Sequence, residues 1–413
     1  MRLDDRFRWL IWLSACQIGT MLVSANYQAL LPLLQKEWSL TNAQAGWIFS
    51  SYQIGYILSV FTLTSLTDYI NPKYIYLITT FWSGVSGALF PLLAEGFPSA
   101  LILRTLMGIG FAGTYMPGVR MVSERFPSEE RGRAVGIFVG SITLGMAVSL
   151  FVTGLLNSAL SWRWAFLITS LGPFGAGIVA SFRIGKVSWK KMEKERAVSI
   201  FEILRHRPAI MMIGGYVAHM WEMYGMRGWI VAFLTSSLLM MKYDLSKAVS
   251  LATYIAGWST LLGALSIAAG GAISDRFGRT HTIIVVMVGS GLLSLVFGWT
   301  ITFPIWLVVI LCLVYGCLAP ADSSALSTGV VELAHPGGLG RTMAIQSVLG
   351  WTAASVSPIV FGYVLDHTNP ADALTRYGYF PNWGWGFMLL GIGGLVGPVI
   401  IWRLKGNLRE KRP

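Results

Sequence analysis

The stretch ERFPSEERGRAVG, which begins at Glu124, returns as ELAHPGGLGRTMA at Glu332, 208 residues further along the chain. A second stretch, TSLTDYINPK, ends at Lys73 and has its counterpart in GAISDRFGRT, which ends at Thr280, 207 residues later. Two separate segments therefore agree on a repeat of half the 413-residue chain. Internal repeats dictate architecture, so this period predicts two copies of one structural unit.

The composition indicates that both units lie in a membrane. Hydrophobic residues make up 54% of the chain and charged residues only 12%, about half the charged share of an average soluble domain. The apolar residues form runs of roughly 18 to 25, the length of a helix that crosses about 30 Å of hydrocarbon. We therefore predict an all-α membrane protein, because helices satisfy their own backbone groups inside lipid.

Twelve such runs divide the chain into two pseudo-symmetric six-helix bundles. The expected boundaries are 1–184 for the N-terminal bundle, 185–207 for a cytoplasmic linker and 208–413 for the C-terminal bundle. The linker is either an amphipathic stretch that lies against the inner leaflet or a solvated tether. The runs begin near Phe7, Ala43, Lys73, Ser99, Ala134, Trp164, Ala209, Ala248, Thr280, Pro304, Thr342 and Asn382.

Basic residues set the expected orientation. Most of the 31 Lys and Arg residues fall in the termini and the even-numbered loops, and basic loops mark the cytoplasmic side of a membrane protein. Both termini are thus expected in the cytoplasm, with anionic headgroups of the inner (plasma) membrane as partners for the net charge of +12. The opening MRLDDRFR is followed by no small-residue cleavage site, so we expect the first run to be retained and the mature chain to begin at Met1. Nucleic-acid binding is excluded, because no aromatic and basic groove pattern accompanies the charge.

The inventory of reactive residues argues against an enzyme, a metal site or a cofactor. No GxxxxGK phosphate loop occurs in the sequence, and the five His residues lack metal-ligand spacing. The three Cys residues lie within apolar runs without a CxxC pattern, so we expect them to be buried thiols. An ion gradient is therefore the expected energy source.

Three segments resemble the motifs of a transporter family. GAISDRFGR, residues 271–279, resembles the loop between helices 8 and 9 of the major facilitator superfamily, and a degenerate copy surrounds Asp68. RTLMGIG, which contains Arg104 and Gly108, resembles its fourth-helix motif, and SWRWAF at 161–166 resembles the start of its sixth helix. The resemblance implies two bundles that work by alternating access, as a monomer.

The loop motif is expected to gate the transporter. Its glycines allow a helix end to turn sharply, and its aspartate is able to pair with an arginine or a helix end. In the first half the glycines and arginines are missing, so only Asp68 and Lys73 remain for a latch. A plain charged turn is the alternative in both halves. The gating residues are Asp68, Lys73, Gly271, Asp275, Arg276, Gly278 and Arg279.

Glu222 is the first candidate for proton coupling, because ionisable residues inside spans are costly and mark transport pathways. It lies near the middle of the seventh run, where Gly225 and Gly228 predict local unwinding. A carboxyl in a poorly solvated site is a natural proton carrier, since protonation removes its charge. The alternative is a structural ion pair with Arg227 or His219.

Asp322 is the second candidate for proton coupling. It lies within the tenth run, beside Pro320, which is expected to kink the helix. The alternative for its carboxyl is hydrogen bonding to the neighbouring Ser323 and Ser324.

Three arginines in the spans supply the opposite charge. Arg120 and Arg227 are candidates to grip a carboxylate with a bidentate fork. For Arg120 the alternative is snorkelling or pairing with Glu124, four residues on. The resemblance links Arg104 to proton transfer, but residues 7–34 contain no acid to serve as its partner, which weakens a drug-export interpretation.

These residues together predict a secondary active transporter. The mixture of arginine, carboxyl and aromatic groups favours proton-coupled symport, as uptake of a small organic anion such as a carboxylate. The alternative is a proton-driven efflux antiporter for amphipathic compounds, followed by an uncoupled facilitator and a membrane sensor. Besides Arg120 and Arg227, the candidates for substrate binding are His219, Tyr27, Asn26, Tyr115, Tyr224 and Gln346, with Gln53, Trp221, Trp258 and Trp351 as further polar or aromatic positions in the spans.

Overall fold

The computed structural model describes residues 4–185, 199–335 and 337–409, and these residues contain helices and no strand. The helices are α1 (Asp5–Thr20), α2 (Asn26–Glu37), α3 (Asn42–Leu66), α4 (Pro72–Leu93), α5 (Phe97–Arg125), α6 (Ser128–Ala159), α7 (Trp162–Arg183), α8 (Ile200–Arg205), α9 (Arg207–Met240), α10 (Leu245–Phe277), α11 (Arg279–Phe297), α12 (Ile305–Ala321), α13 (Ser323–Glu332), α14 (Leu339–Thr368), α15 (Ala373–Tyr377) and α16 (Gly384–Arg409).

The twelve predicted runs are confirmed as twelve long helical segments within the described residues. The pair α1 and α2 forms the first segment, and α12 with α13 forms the tenth. Nine segments in this part of the chain are long and apolar enough to cross a membrane. The first segment, α3 and α9 are not among the nine.

Helix α9 is the element that carries most of the candidate site. It is buried along most of its length, and its buried side chains include His219, Glu222 and Arg227. The predicted unwinding at Gly225 and Gly228 is wrong, since α9 runs unbroken from Arg207 to Met240. Gly225 instead gives room to its neighbours, because a Cβ there would lie 2.3 Å from a methyl of Leu390.

The tenth segment breaks where the sequence predicted a distortion. Helix α12 ends at Ala321, one residue after Pro320, and α13 begins at Ser323. Proline lacks an N–H donor and its ring clashes with the preceding turn, which ends the regular hydrogen-bond ladder there. The break places Asp322 at the junction of two helices, where its side chain is 1% exposed.

The described residues group into two compact units. The first unit comprises Met1–Leu40, Trp47–Glu193 and Asp244–Gly257. In it, α3 and α5 touch through their backbones, because a Cβ at Gly108 would lie 1.9 Å from the carbonyl oxygen of Tyr52. Only glycine allows this approach without a shift of the helices.

The second unit comprises Thr41–Gly46, Lys194–Tyr243 and Trp258–Pro413. Its core is rich in aromatic rings that meet at close range. Trp229 stacks on Phe361 with centroids 5.4 Å apart, and Phe387 meets Phe233 edge to face at 5.3 Å. These rings join α9, α14 and α16 into one packed layer.

The first residues of α3 and of α10 belong to a different unit from the rest of each helix. The start of α3 belongs to the second unit, where the Asp366 carboxylate accepts hydrogen bonds from the backbone N–H groups of Asn42 and Ala43 at 2.9 and 2.8 Å. The start of α10 belongs to the first unit, where the Thr253 hydroxyl donates to the carbonyl of Ala29 at 3.1 Å. These hydrogen bonds join each helix start to other residues of the unit in which it is grouped.

Part of the predicted linker forms the short helix α8. Ser199 and Glu202 make a reciprocal capping box at its start. The helix has one apolar side chain turned inward, since Ile203 is buried while Phe201 is exposed. Residues 186–198, where most of the amphipathic stretch was expected, lie outside the described residues.

Candidate functional site

Glu222 is a buried carboxylate that pairs with no cation among the residues that the structure describes. Its side chain is 2% exposed, and Ser290 donates a hydrogen bond from Oγ to Oε2 at 3.2 Å. The other oxygen, Oε1, has no hydrogen-bond partner among the described residues. A Cβ at Gly394 would lie 2.3 Å from Oε2, so α16 leaves room for the carboxyl only because this residue is glycine. The ion pair with Arg227 or His219 that the sequence allowed is not formed.

Asp322 differs from Glu222 because an imidazole lies within hydrogen-bond distance of its carboxyl. His219 on α9 places Nδ1 2.7 Å from Oδ1 of Asp322, and both side chains are buried. The second ring nitrogen of His219, Nε2, lies 2.9 Å from the Ser323 hydroxyl. The imidazole and the Ser323 hydroxyl thus join α9 to the junction of α12 and α13.

Arg227 lies on the same helix, among aromatic rings. Its guanidinium carbon is 5.6 Å from the ring centroid of Tyr224, and Tyr224 meets Trp351 edge to face at 5.2 Å. No carboxylate pairs with Arg227 in the part of the chain that the structure describes. Its side chain is 9% exposed, so this cation is largely withdrawn from solvent.

Arg104 forms a second buried cationic group, in the first unit. It donates from its two terminal nitrogens to the carbonyls of Val23 and Ser24 at 3.4 and 3.2 Å. Its guanidinium carbon lies 5.5 Å from the ring of Tyr27 and 4.7 Å from that of Tyr52. Over residues 4–185, 199–335 and 337–409 it makes no ion pair, and its Nε has no hydrogen-bond partner. A side chain 1% exposed thus holds a charge that no acid balances.

The remaining candidates for substrate binding are distributed over both units. In the first unit, Asn26 donates from Nδ2 to Thr169 at 3.5 Å while its Oδ1 has no partner among the described residues. Tyr115 stacks on Phe111 with centroids 5.6 Å apart. In the second unit, Gln346 is buried on α14.

Arg120 is held by two carboxylates rather than presented to a ligand. Its Nη1 lies 2.7 Å from Asp68, its Nε lies 2.8 Å from Glu124, and Nη1 also donates to the Thr67 hydroxyl at 2.6 Å. This is the pairing with Glu124 that the sequence offered as the alternative, extended to Asp68. The group lines a cavity of about 540 Å³ together with Ser123 and other polar residues of the first unit.

Lys73 takes no part in that group. It donates from Nζ to the backbone carbonyl of Gly185 at 2.7 Å. The latch that the sequence suggested between Asp68 and Lys73 is therefore replaced by the pair of Asp68 with Arg120.

The second half of the repeat carries a matching group. Arg279 contacts Asp275 and lies 3.2 Å from Glu332. Gly278 begins the turn into α11 with a φ of 90°, a conformation that favours glycine. Gly271 approaches α13, since a Cβ there would lie 2.9 Å from Ser324 Oγ. Arg276 lies over the ring of Phe277 at 5.3 Å.

We call the group around Arg120 the first clamp and the group around Arg279 the second clamp. Their acids occupy corresponding positions in the sequence repeat, whereas their arginines do not. Asp68 and Glu124 of the first clamp correspond to Asp275 and Glu332 of the second by the sequence repeat. The arginine comes from α5 in the first clamp and from the start of α11 in the second. Proline occupies the position of Arg279 in the first half, so Arg120 supplies the charge that the degenerate motif lacks.

Sequence reasoning missed several residues that contact the candidates. Ser290 and Gly394 touch Glu222, and Thr67 joins the first clamp. Serine, threonine and glycine are common inside membrane helices, where they serve close packing. With 46 Gly in the chain, no motif distinguishes these particular positions.

Buried arginines, a buried carboxyl and polar clamps inside a bundle of long apolar helices define a membrane transporter rather than an enzyme. The sequence model of the Major Facilitator Superfamily matches residues 13–316, and the chain belongs to that family. The family and the multi-pass all-helical fold predicted from the sequence are both confirmed.

Relatives of known name are transporters. The chain is 26% identical to a hexuronate transporter of Bacillus subtilis (strain 168) over 363 residues, 82% of each chain. It is 26% identical to a probable sulfoacetate transporter of Cupriavidus necator over 376 residues, 84% of each chain. A putative niacin/nicotinamide transporter of Bacillus subtilis is 25% identical over 65% of this chain and 66% of its own.

Solved structures share the fold at low sequence identity. A bacterial homologue of the human lysosomal transporter Spinster, in an inward-facing and occupied conformation, is similar with a TM-score of 0.76 and 14% identity over 98% of each chain. A nucleoside transporter is similar with a TM-score of 0.74 and 15% identity, over 97% of this chain and 100% of its own.

Proposed function

We propose that the protein is a proton-coupled symporter that takes up a small organic anion by alternating access. One observation carries the proposal: each unit holds a buried arginine, Arg104 or Arg227, that pairs with no carboxylate in the described residues. An uncompensated buried cation is costly, and a carboxylate or sulfonate supplies both the missing charge and a bidentate acceptor. Relatives named for hexuronate and sulfoacetate support an anionic substrate.

The proposed proton site is Glu222, with Asp322 second. Among the described residues no cation pairs with the Glu222 carboxylate and Oε1 accepts no hydrogen bond, so binding of a proton removes an uncompensated charge. Asp322 already has His219 at 2.7 Å, which lowers the advantage of protonating it. A proton on Glu222 that travels with a monoanion leaves the net charge of the carrier unchanged.

Uptake into proteoliposomes tests the proposal, with labelled galacturonate, sulfoacetate and nicotinate as probes. We expect an imposed pH gradient, acid outside, to drive accumulation of at least one probe. Glu222→Gln should abolish the effect of the gradient, while exchange of the probe across the membrane persists. Asp322→Asn should reduce transport, because it leaves His219 without its partner.

Two exposed acids provide matched controls. Glu95→Gln and Asp372→Asn make the same chemical changes at exposed positions and should leave gradient-driven uptake unchanged. Full accumulation by Glu222→Gln and Asp322→Asn would contradict the proton assignment. Outward flux of amphipathic compounds without anion uptake would favour the efflux antiporter instead.

A further inference from the structure

Arg227, Tyr224 and Trp351 form a group in the second unit that combines one cation with two aromatic rings. We infer that this group, the aromatic anion site, binds planar aromatic monocarboxylates and discriminates against polyhydroxylated acids. The inference rests on the proposed function and names the substrate class of the same transporter.

The cation of the aromatic anion site needs an anionic ligand. Arg227 is nine-tenths buried, and the face of the Tyr224 ring offers it a quadrupole but no negative charge. A carboxylate presents two oxygens to the planar guanidinium fork, which a neutral ligand does not match. One arginine in this group favours one carboxylate on the ligand.

The two rings favour a flat, unsaturated body next to that carboxylate. Tyr224 and Trp351 meet edge to face at 60° with centroids 5.2 Å apart. The aromatic ring of a ligand would pack against these two rings in a similar geometry. Their exposed fractions are 8% each, so a ligand body here contacts ring surface rather than water.

Two serine hydroxyl groups on α14 already donate hydrogen bonds to backbone carbonyls. Ser355 donates to the carbonyl of Trp351 at 2.8 Å, and Ser357 donates to the carbonyl of Trp221 at 2.6 Å. The hydroxyls of a sugar acid would lose their water here and find few new donors, which disfavours binding. An aromatic ring has no such requirement.

Three ligands of similar size and equal charge separate these effects. Benzoate carries an aromatic ring, cyclohexanecarboxylate carries a saturated ring of the same carbon number, and glucuronate carries hydroxyl groups. Binding to the purified full-length protein is measured by thermal stabilisation over a range of ligand concentrations. We expect benzoate to bind about 10-fold more tightly than cyclohexanecarboxylate, and glucuronate to bind more weakly than either.

Substitutions test which side chains discriminate between benzoate and cyclohexanecarboxylate. Tyr224→Leu and Trp351→Leu should bring benzoate and cyclohexanecarboxylate to similar affinities, whereas Tyr224→Phe should keep them apart. Arg227→Gln should weaken binding of both. Trp402→Leu removes an exposed tryptophan on α16 and should change neither affinity. The comparison of the three ligands on the unaltered protein decides the substrate class even if a variant does not fold.

The outcomes separate this inference from the proposed function. Binding and accumulation of glucuronate without binding of benzoate would overturn the inference and leave an organic-anion transporter. Equal affinity for benzoate and cyclohexanecarboxylate, or discrimination unchanged in both leucine variants, would also overturn it. If none of these anions, nor those of the uptake assay, binds or accumulates, the proposed function itself falls.

Discussion

Glu222 and Asp322 are two carboxyls buried to nearly the same degree, yet their surroundings differ. Asp322 has an imidazole at 2.7 Å, while Glu222 has one serine hydroxyl at 3.2 Å and a glycine that leaves it room. A compensated pair is costly to break, because removal of one partner leaves a buried charge. An uncompensated carboxyl changes its charge with a single proton, as a coupling residue must.

Gly394 offers a test of Glu222 that leaves its carboxyl in place. In Gly394→Ala the new Cβ would lie 2.3 Å from Oε2, the atom that accepts from Ser290, so the carboxyl must shift. We expect a loss of about 1–3 kcal/mol in stability from overpacking, together with weaker gradient-driven uptake, measured by thermal unfolding and by the proteoliposome assay.

Gly406→Ala is the control on the same helix. Nothing lies within 4 Å of a Cβ at Gly406, so this change should be neutral or slightly stabilising. Gradient-driven uptake that is equal in Gly394→Ala and the unaltered protein would show that the position of the Glu222 carboxyl does not matter for coupling.

At the scale of elements, both halves of the repeat have an arginine between two acids, although the loop motif of the first half has diverged. Each clamp joins the loop aspartate to a glutamate at the end of the fourth helix of its half. The arginine can lie on α5 or at the start of α11, because its long side chain reaches both acids of its clamp. Degeneration of the loop sequence in the first half therefore does not remove the clamp.

Substitution of either clamp arginine should speed amide exchange only in the turn that holds the aspartate of the same clamp. In Arg120→Gln we expect faster amide exchange in the turn at 67–70, and in Arg279→Gln faster exchange at 274–278. Each arginine makes two partly exposed ion pairs, and such pairs contribute about 0.2–1 kcal/mol each, so the expected acceleration is roughly 2- to 30-fold. Hydrogen exchange read by mass spectrometry measures it.

Arg163→Gln serves as the control for the clamp variants. It removes a comparable ion pair, with Glu37 at 3.2 Å, away from both turns, and should leave exchange at both turns unchanged. Acceleration of both turns by either clamp variant, or of neither, would contradict the assignment of one arginine to one clamp.

At the scale of the whole molecule, the features that repeat were predictable and the features that depend on single contacts were not. The offset of about half the chain located the carboxylates of both clamps, because it pairs Asp68 with Asp275. The partner of Asp68 was not predictable, since Arg120 is 52 residues away in sequence and reaches it only after folding. Gly225 illustrates the opposite error: glycine permits unwinding, but tight packing against Leu390 keeps the helix regular.

The orientation of the chain is the remaining whole-molecule prediction, and it depends on the same basic residues that give the charge of +12. Twelve spans place both termini on one side, and basic loops place that side in the cytoplasm. In right-side-out membrane vesicles, a membrane-impermeant maleimide should label Asp372→Cys directly. It should label Asp5→Cys and Gly406→Cys only after the vesicles are permeabilised.

The native cysteines give a low background for this labelling. Cys16 and Cys312 are buried and Cys317 is partly buried, and burial raises the cost of forming the reactive thiolate. Labelling of Asp5→Cys and Gly406→Cys from outside would invert the predicted topology while keeping the even number of spans. Labelling of one terminus without the other would contradict twelve spans, because only an odd number separates the two ends of a chain.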